Sequence, residues 1–144
     1  MDKLFRNEYH RLIANLHKTD GYIINHFQQK LAPFDLSVQQ YITLRQLSEV
    51  YPNSLTAGEL KEKMTDLNPD ITRLTDRLVA KNLLVREVDP NNRRRVNLRL
   101  TEESYQFVKT VAVQFKDFES IVNHLTDEEV RTMNTLLEKI ISHG

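Results

Sequence analysis

The 144-residue chain has no cysteine, and only three glycines and four prolines. Without thiols it has no disulfide framework, no thiolate nucleophile and no cysteine-based redox sensing. Three glycines cannot supply a phosphate-cradling loop, and no nucleophile–base–orienter constellation stands out, so an enzyme is not expected. No apolar run approaches the roughly 20 residues needed to span a bilayer and no signal peptide is visible, which makes a cytoplasmic protein without a membrane partner the expectation. Net charge is missing too: 20 Lys and Arg offset 20 Asp and Glu. That balance argues against a polyanion partner until its distribution is read. Residues 56–101 carry ten basic against seven acidic side chains, residues 102–144 four against eight, and residues 1–55 six against five. The positive charge is concentrated in the middle segment.

That segment contains Asp89-Pro90-Asn91-Asn92-Arg93-Arg94-Arg95, followed by Val96, Leu98 and Leu100 in alternation with polar residues. Turn-forming residues followed by a period-two pattern predict a hairpin. The loop is expected to take about six residues where two would reverse the chain, and it carries arginines at its tip. A guanidinium there suits a phosphate or an electronegative minor groove.

Upstream, Thr56-Ala57-Gly58-Glu59 is a capping box opening a short helix to about Met64, with Leu60 and Met64 on one face. Thr65-Asp66-Leu67 reads as a turn. Asn68 as N-cap and Pro69 at the first helical position predict a second helix to Lys81. Ile71, Leu74 and Leu78 form its buried stripe, while Asp70, Arg73, Arg77 and Lys81 share another face. A helix basic outside and apolar inside can lie in a major groove. Asn82 is an acceptable left-handed helix end, and residues 83–88 supply the first hairpin strand.

The remaining segments read as helices. Phe5, Tyr9, Leu12, Leu16, Ile23, Phe27 and Leu31 follow helical spacing from Lys3 to Leu31, with Gly21 a weak point. Ser37 and Gln40 form a capping box for a helix to about Tyr51. A long helix is expected after Thr101, carrying Tyr105 through Val122. Thr126 then caps a last helix with a stripe of Val130, Met133, Leu136, Leu137, Ile140 and Ile141. The predicted fold is mainly α with a small β-hairpin wing. A winged helix-turn-helix (35–101) is flanked by helical dimerisation regions (1–34 and 102–144), all in one structural unit. The terminal stripes exceed what a small reading head can cover, so a homodimer is expected, with DNA half-sites one helical turn, roughly 34 Å, apart. His10 and His17, seven apart, share a helical face with Asp20 near by, but no dedicated metal site or cofactor is expected.

The chain resembles the MarR family of bacterial transcriptional regulators over nearly its whole length. The matching pieces are Leu36-Ser37 with Gln40, Thr56 with Glu59-Leu60, Thr72-Arg73-Leu74 with Asp76-Arg77-Leu78, Leu83-Leu84, and Asp89-Pro90-Asn91 through Arg94 to Leu100-Thr101. The resemblance implies a homodimeric regulator, expected to be a repressor, on a pseudo-palindromic double-stranded DNA operator. It places Arg94 in the minor groove, held by Asp89, with Arg93 and Arg95 flanking. Arg73 and Arg77 would read the major groove with Thr72 as a secondary contact. Ser37 and Gln39 or Gln40 would hold phosphate at a helix N-terminus. Asn82 stands where the family commonly has glycine. Asp70 would cap its helix, pair with Arg73, or accept from a cytosine amino group. Relatives often carry a pocket for a small aromatic or phenolic effector, for which His17, Tyr41 and Arg45 are the candidates. The competing reading is a winged-helix protein-interaction module that does not bind DNA.

Overall fold

The computed structural model describes residues 4–65 and 68–144. Lys3 of the predicted first helix, and Asp66 and Leu67 of the predicted turn, lie outside the described residues. The chain divides into two units, Met1–Gln114 and Phe115–Gly144.

In the first unit, α1 (Glu8–Leu31) starts at Asn7, whose side chain accepts from the His10 amide, and runs through Gly21 unbroken. A 3-10 turn (Ala32–Phe34) leads to Asp35 at φ 53° and then to α2 (Val38–Val50), opened by the Ser37–Gln40 capping box as expected. β1 (Leu55–Thr56) follows, and Thr56 with Glu59 closes the capping box of α3 (Ala57–Lys63). The predicted basic-faced helix, α4, spans Ile71–Ala80, two residues later than predicted, because Asp70 rather than Asn68 is the N-cap. Asn and Asp are equally good caps, so composition alone could not choose between them. Ile71, Leu74 and Leu78 are buried, as the predicted stripe requires. Asn82 takes φ 61°, and the amides of Asn82 and Leu83 close back on the carbonyls of Val79 and Leu78. That is the left-handed helix end read from the sequence.

β2 (Val85–Asp89) and β3 (Asn92–Arg99) form the hairpin, and β1 adds a third antiparallel strand in the order β1-β3-β2. The two-residue β1 was not predicted; it pairs Leu55 with Leu98 and Thr56 with Asn97. The expected six-residue loop is corrected to a reversal at Pro90 and Asn91, because the Asp89 carboxylate accepts from the Asn91 amide at 2.8 Å and tightens the turn. The extra length lies on β3 instead. Asp89 faces Asn92 but Val88 faces Val96, which leaves Arg93, Arg94 and Arg95 unopposed in a bulge.

α5 (Glu102–Ala112) is capped by Thr101 and Ser104. The long helix expected to continue to Val122 ends at Ala112 and gives way to 3-10 segments at Val113–Phe115 and Phe118–Ile121. Phe115, at the end of the first, and Phe118, at the start of the second, meet edge to face at 5.2 Å. The first unit's core is built from Leu31, Leu44, Leu47, Leu60, Leu78, Leu98, Leu100, Val108 and Val111, all essentially inaccessible.

The second unit contains α6 (Asp127–Ser142), opened by the Thr126–Glu129 capping box. No residue of α6 is buried; Leu136 is 53% and Ile141 68% exposed. No described helix is long and apolar enough to cross a membrane.

Candidate nucleic-acid interface

The N-terminus of α2 and the front of α4 frame a groove of about 400 Å³, lined by Ser37, Gln39, Asp70, Arg73 and Arg77 among others. Five positions read separately from the sequence therefore meet on one surface. The periodicity of α4 explains this: with Ile71, Leu74 and Leu78 turned inward, Thr72, Arg73 and Arg77 are forced outward and are exposed. Of the three roles expected for Asp70, the cap is present, its carboxylate accepting from the Arg73 amide at 3.1 Å. A carboxylate at a helix N-terminus is favoured by the dipole, so this negative charge is stabilised locally.

The Ser37 hydroxyl accepts from the Gln40 amide and is exposed, and Gln39 is exposed beside it. Gln40 is different. It is buried, its Oε1 accepting from the Ser37 amide and from Lys81 Nζ, each at 3.1 Å. Both glutamines line the groove, Gln39 as the exposed one of the pair and Gln40 as a buried member of the cap. Lys81 also leaves the predicted basic face. Its ammonium turns back to the Asp35 carbonyl and lies 3.7 Å from the Asp35 carboxylate. The end of α4 is thereby fastened to the α2 cap, and Lys81 does not face the groove.

The wing changes more. Asp89 was expected to hold Arg94; its carboxylate instead lies 3.8 Å from Arg95 Nε, while Arg95 Nη2 reaches Glu59 at 3.5 Å. Arg95 thus links the wing to the start of α3, across a groove of about 560 Å³ that Arg94 also lines. Both arginines line this groove, and Arg95 is paired there with Glu59 and Asp89. Among the described residues, the Arg93 and Arg94 side chains have no ion-pair partner, and both are exposed. The Arg94 backbone is fixed by its amide donating to Asn92 Oδ1 at 3.1 Å. Glu59 has a lowered pKa, chiefly because its carboxylate accepts from the Thr56 backbone and side chain, with Arg95 contributing less. Glu87 is held low by its hydrogen bond from Arg99, a cross-strand pair at 2.8 Å on the sheet's other face.

Of the effector candidates, Tyr41 is buried, its ring edge-on to Phe27 at 6.0 Å. Burial raises its phenol pKa, partly countered by Arg45 one turn further along α2. His17 is exposed on α1, ten residues before Phe27 and hence about 15 Å away along the helix. The structure brings together Tyr41 and Arg45 but not His17. His10 sits in the first turn of α1, where its Nδ1 accepts from the Arg6 amide and its ring packs edge-on to Phe5.

The sequence reading missed Arg86. Its Nη2 donates to Thr75 Oγ1 at 2.9 Å and to Asp76 Oδ1 at 2.6 Å, bridging β2 and α4. A lone arginine between Val85 and Glu87 carried no signal that would have marked it.

Comparison with known proteins agrees with this arrangement. The family model described as "MarR family" matches residues 36–96. The chain is 28% identical over 138 residues to the multiple antibiotic resistance protein MarR of Escherichia coli, covering 91% of this chain and 89% of that one. A mutant of that protein, solved in complex with operator DNA, superposes with a TM-score of 0.82 at 25% identity over 97% of this chain and 99% of that one. A MarR transcription factor from Planctomyces limnophilus is 31% identical, with a TM-score of 0.68 over 89% of this chain and 93% of that one. An uncharacterized HTH-type transcriptional regulator of Bacillus subtilis, YhbI, is 35% identical over 86 residues. That match spans 59% of this chain and only 54% of that one. With its capped helix pair, arginine-bearing wing and these relatives, the chain belongs to the MarR family of transcriptional regulators.

Proposed function

We propose that this regulator is a cytoplasmic homodimeric repressor that binds a pseudo-palindromic DNA operator, with α4 in the major groove and the wing in the minor groove. The observation that carries this reading is the convergence of Ser37, Gln39, Arg73 and Arg77 on one groove of about 400 Å³. Exposed guanidinium groups meet a helix N-terminus there, the combination that binds a phosphate backbone and reads base edges. Arg73 and Arg77 read bases, Thr72 adds a secondary contact, and Ser37 and Gln39 hold phosphate. Arg94, flanked by Arg93, enters the minor groove. That a relative was solved in complex with operator DNA supports DNA as the partner.

The apolar stripes of α1 and α6 supply the dimer contact. Tyr9, Ile13, Leu136 and Ile140 are at least half exposed, and a second copy is the surface that would cover them. Two recognition helices would then be related by a two-fold axis, with half-sites roughly 34 Å apart. A small aromatic or phenolic effector acts by preferring one spacing of these helices, with Tyr41 and Arg45 as its contacts.

Selection of bound sequences from a random duplex pool tests the reading in one experiment. An inverted repeat with half-site centres 10–11 base pairs apart is expected. Enrichment of no sequence, with no salt-sensitive binding to random duplex, would favour the protein-interaction module instead.

A further inference from the structure

Both reading elements must be held in a fixed relation if they are to grip one duplex, and the molecule contains a specific link between them. Arg86 lies opposite Leu98 in the β2–β3 ladder. Directly opposed residues of an antiparallel pair share a face, and Leu98 is buried, so Arg86 points inward toward the helices. There its Nη2 meets two successive residues of α4, Thr75 Oγ1 at 2.9 Å and Asp76 Oδ1 at 2.6 Å. Thr75 is itself buried and its hydroxyl donates to the Ile71 carbonyl at 2.8 Å, which leaves its oxygen lone pairs to accept from Arg86. A relay thus runs from the base of the wing through Thr75 to the first residue of α4. Beside it, the same nitrogen makes a short charge-assisted bond to Asp76.

We propose that Arg86 is a positioning residue that ties the base of the wing to the recognition helix. Its charge is spent on Asp76, and its effect on operator binding acts through the placement of Arg94. The proposal rests on the DNA-binding reading above and adds a role that charge alone would not assign. By simple electrostatics, removing the Asp76 carboxylate from a DNA-facing helix should tighten binding. The tether requires the opposite, because Asp76→Asn frees Arg86 and lets the wing drift.

The experiment measures operator affinity against salt for the full-length protein and its Arg86→Gln, Arg86→Lys and Asp76→Asn variants, each also combined with Arg94→Ala. Arg86→Gln and Asp76→Asn should each weaken binding about tenfold with an unchanged salt slope. Arg86→Lys should recover part of that loss, and Arg94→Ala should cost less in either weakened background than alone. Backbone amide exchange in the free protein reads the tether without DNA: residues 88–97 should exchange faster in Arg86→Gln while core amides of α2 and α5 do not. A salt slope reduced by about one unit in Arg86→Gln would make Arg86 a phosphate contact and overturn the proposal. So would tighter binding by Asp76→Asn, or unchanged wing exchange. If the unmodified protein bound no duplex while wing exchange still rose, the DNA reading would fail and the tether would stand as a purely structural link.

Discussion

The reading head and the terminal helices use apolar residues in opposite ways. In α4 the stripe of Ile71, Leu74 and Leu78 is covered by the head's own core, and the polar face left over carries the chemistry. In α6 an equally regular stripe, with Met133, Leu136, Ile140 and Ile141 all at least 44% exposed, contributes nothing to the core of this chain. α1 is intermediate: Leu31 at its end is buried while Tyr9 and Ile13 near its start are exposed. Amphipathic periodicity alone therefore does not distinguish a helix that completes a fold from one that awaits a partner; the area left uncovered does. The head covers its own stripe, whereas the terminal helices leave apolar surface uncovered, and it is this surface that the proposed dimer would use.

The largest effect should come from the unfinished side. Replacing Leu136 and Ile140 together by Glu should leave the head folded by circular dichroism but shift sedimentation equilibrium to monomer. Operator affinity should fall by about a hundredfold or more as the second half-site contact is lost. A stable dimer in that variant would show that α6 is not the interface. Substitutions confined to the head should leave the oligomer intact. Arg94→Ala is expected to weaken every operator and random duplex alike and to flatten the salt slope by about one unit. Arg73→Ala should cost about 1–3 kcal/mol on the operator and much less on random DNA; equal losses on both would remove its base-reading role.

Smaller effects concern how the head is finished. Asp70→Ala should lower stability by about 1 kcal/mol through loss of the α4 cap, while Asp70→Asn stays near the parent value, both read by thermal melting. The smallest is a pH effect at Glu59. Its folded pKa lies below the ordinary 4.5, so its contribution is present above that value and is lost as pH falls through the folded pKa. Glu59→Gln keeps a capping oxygen but cannot titrate. Its melting temperature should therefore fall less than the parent's between pH 5 and pH 3, a window of about two units around the carboxylate range.

Much of the head was legible in the sequence because its signals are local. Capping boxes at Ser37 and Thr56 fix helix starts through residues three apart, as does the Thr126 box outside the head, and Asn82 marks a left-handed end by its own backbone tolerance. The exposed positions Arg73 and Arg77 followed from periodicity, and Ser37 with Gln39 or Gln40 from their place at a helix N-terminus. What remained hidden depends on partners distant in sequence. Lys81 looks like part of a basic face until Asp35 and Gln40, more than 40 residues earlier, are found beneath it. Arg95 is indistinguishable from Arg94 until Glu59 takes one of them. The two-residue β1 has too little length to show a period, and α5 ends at Ala112 although apolar spacing continues beyond it.

The three unopposed arginines of β3 carry a last consequence. Because the ladder on either side of them, Val88 with Val96 and Asp89 with Asn92, is paired independently of how many residues lie between, length can change there without a slip in register. The reach of this finger, and with it the depth it would take in the proposed duplex, is thus an adjustable quantity, separable from the foundations on which the finger stands.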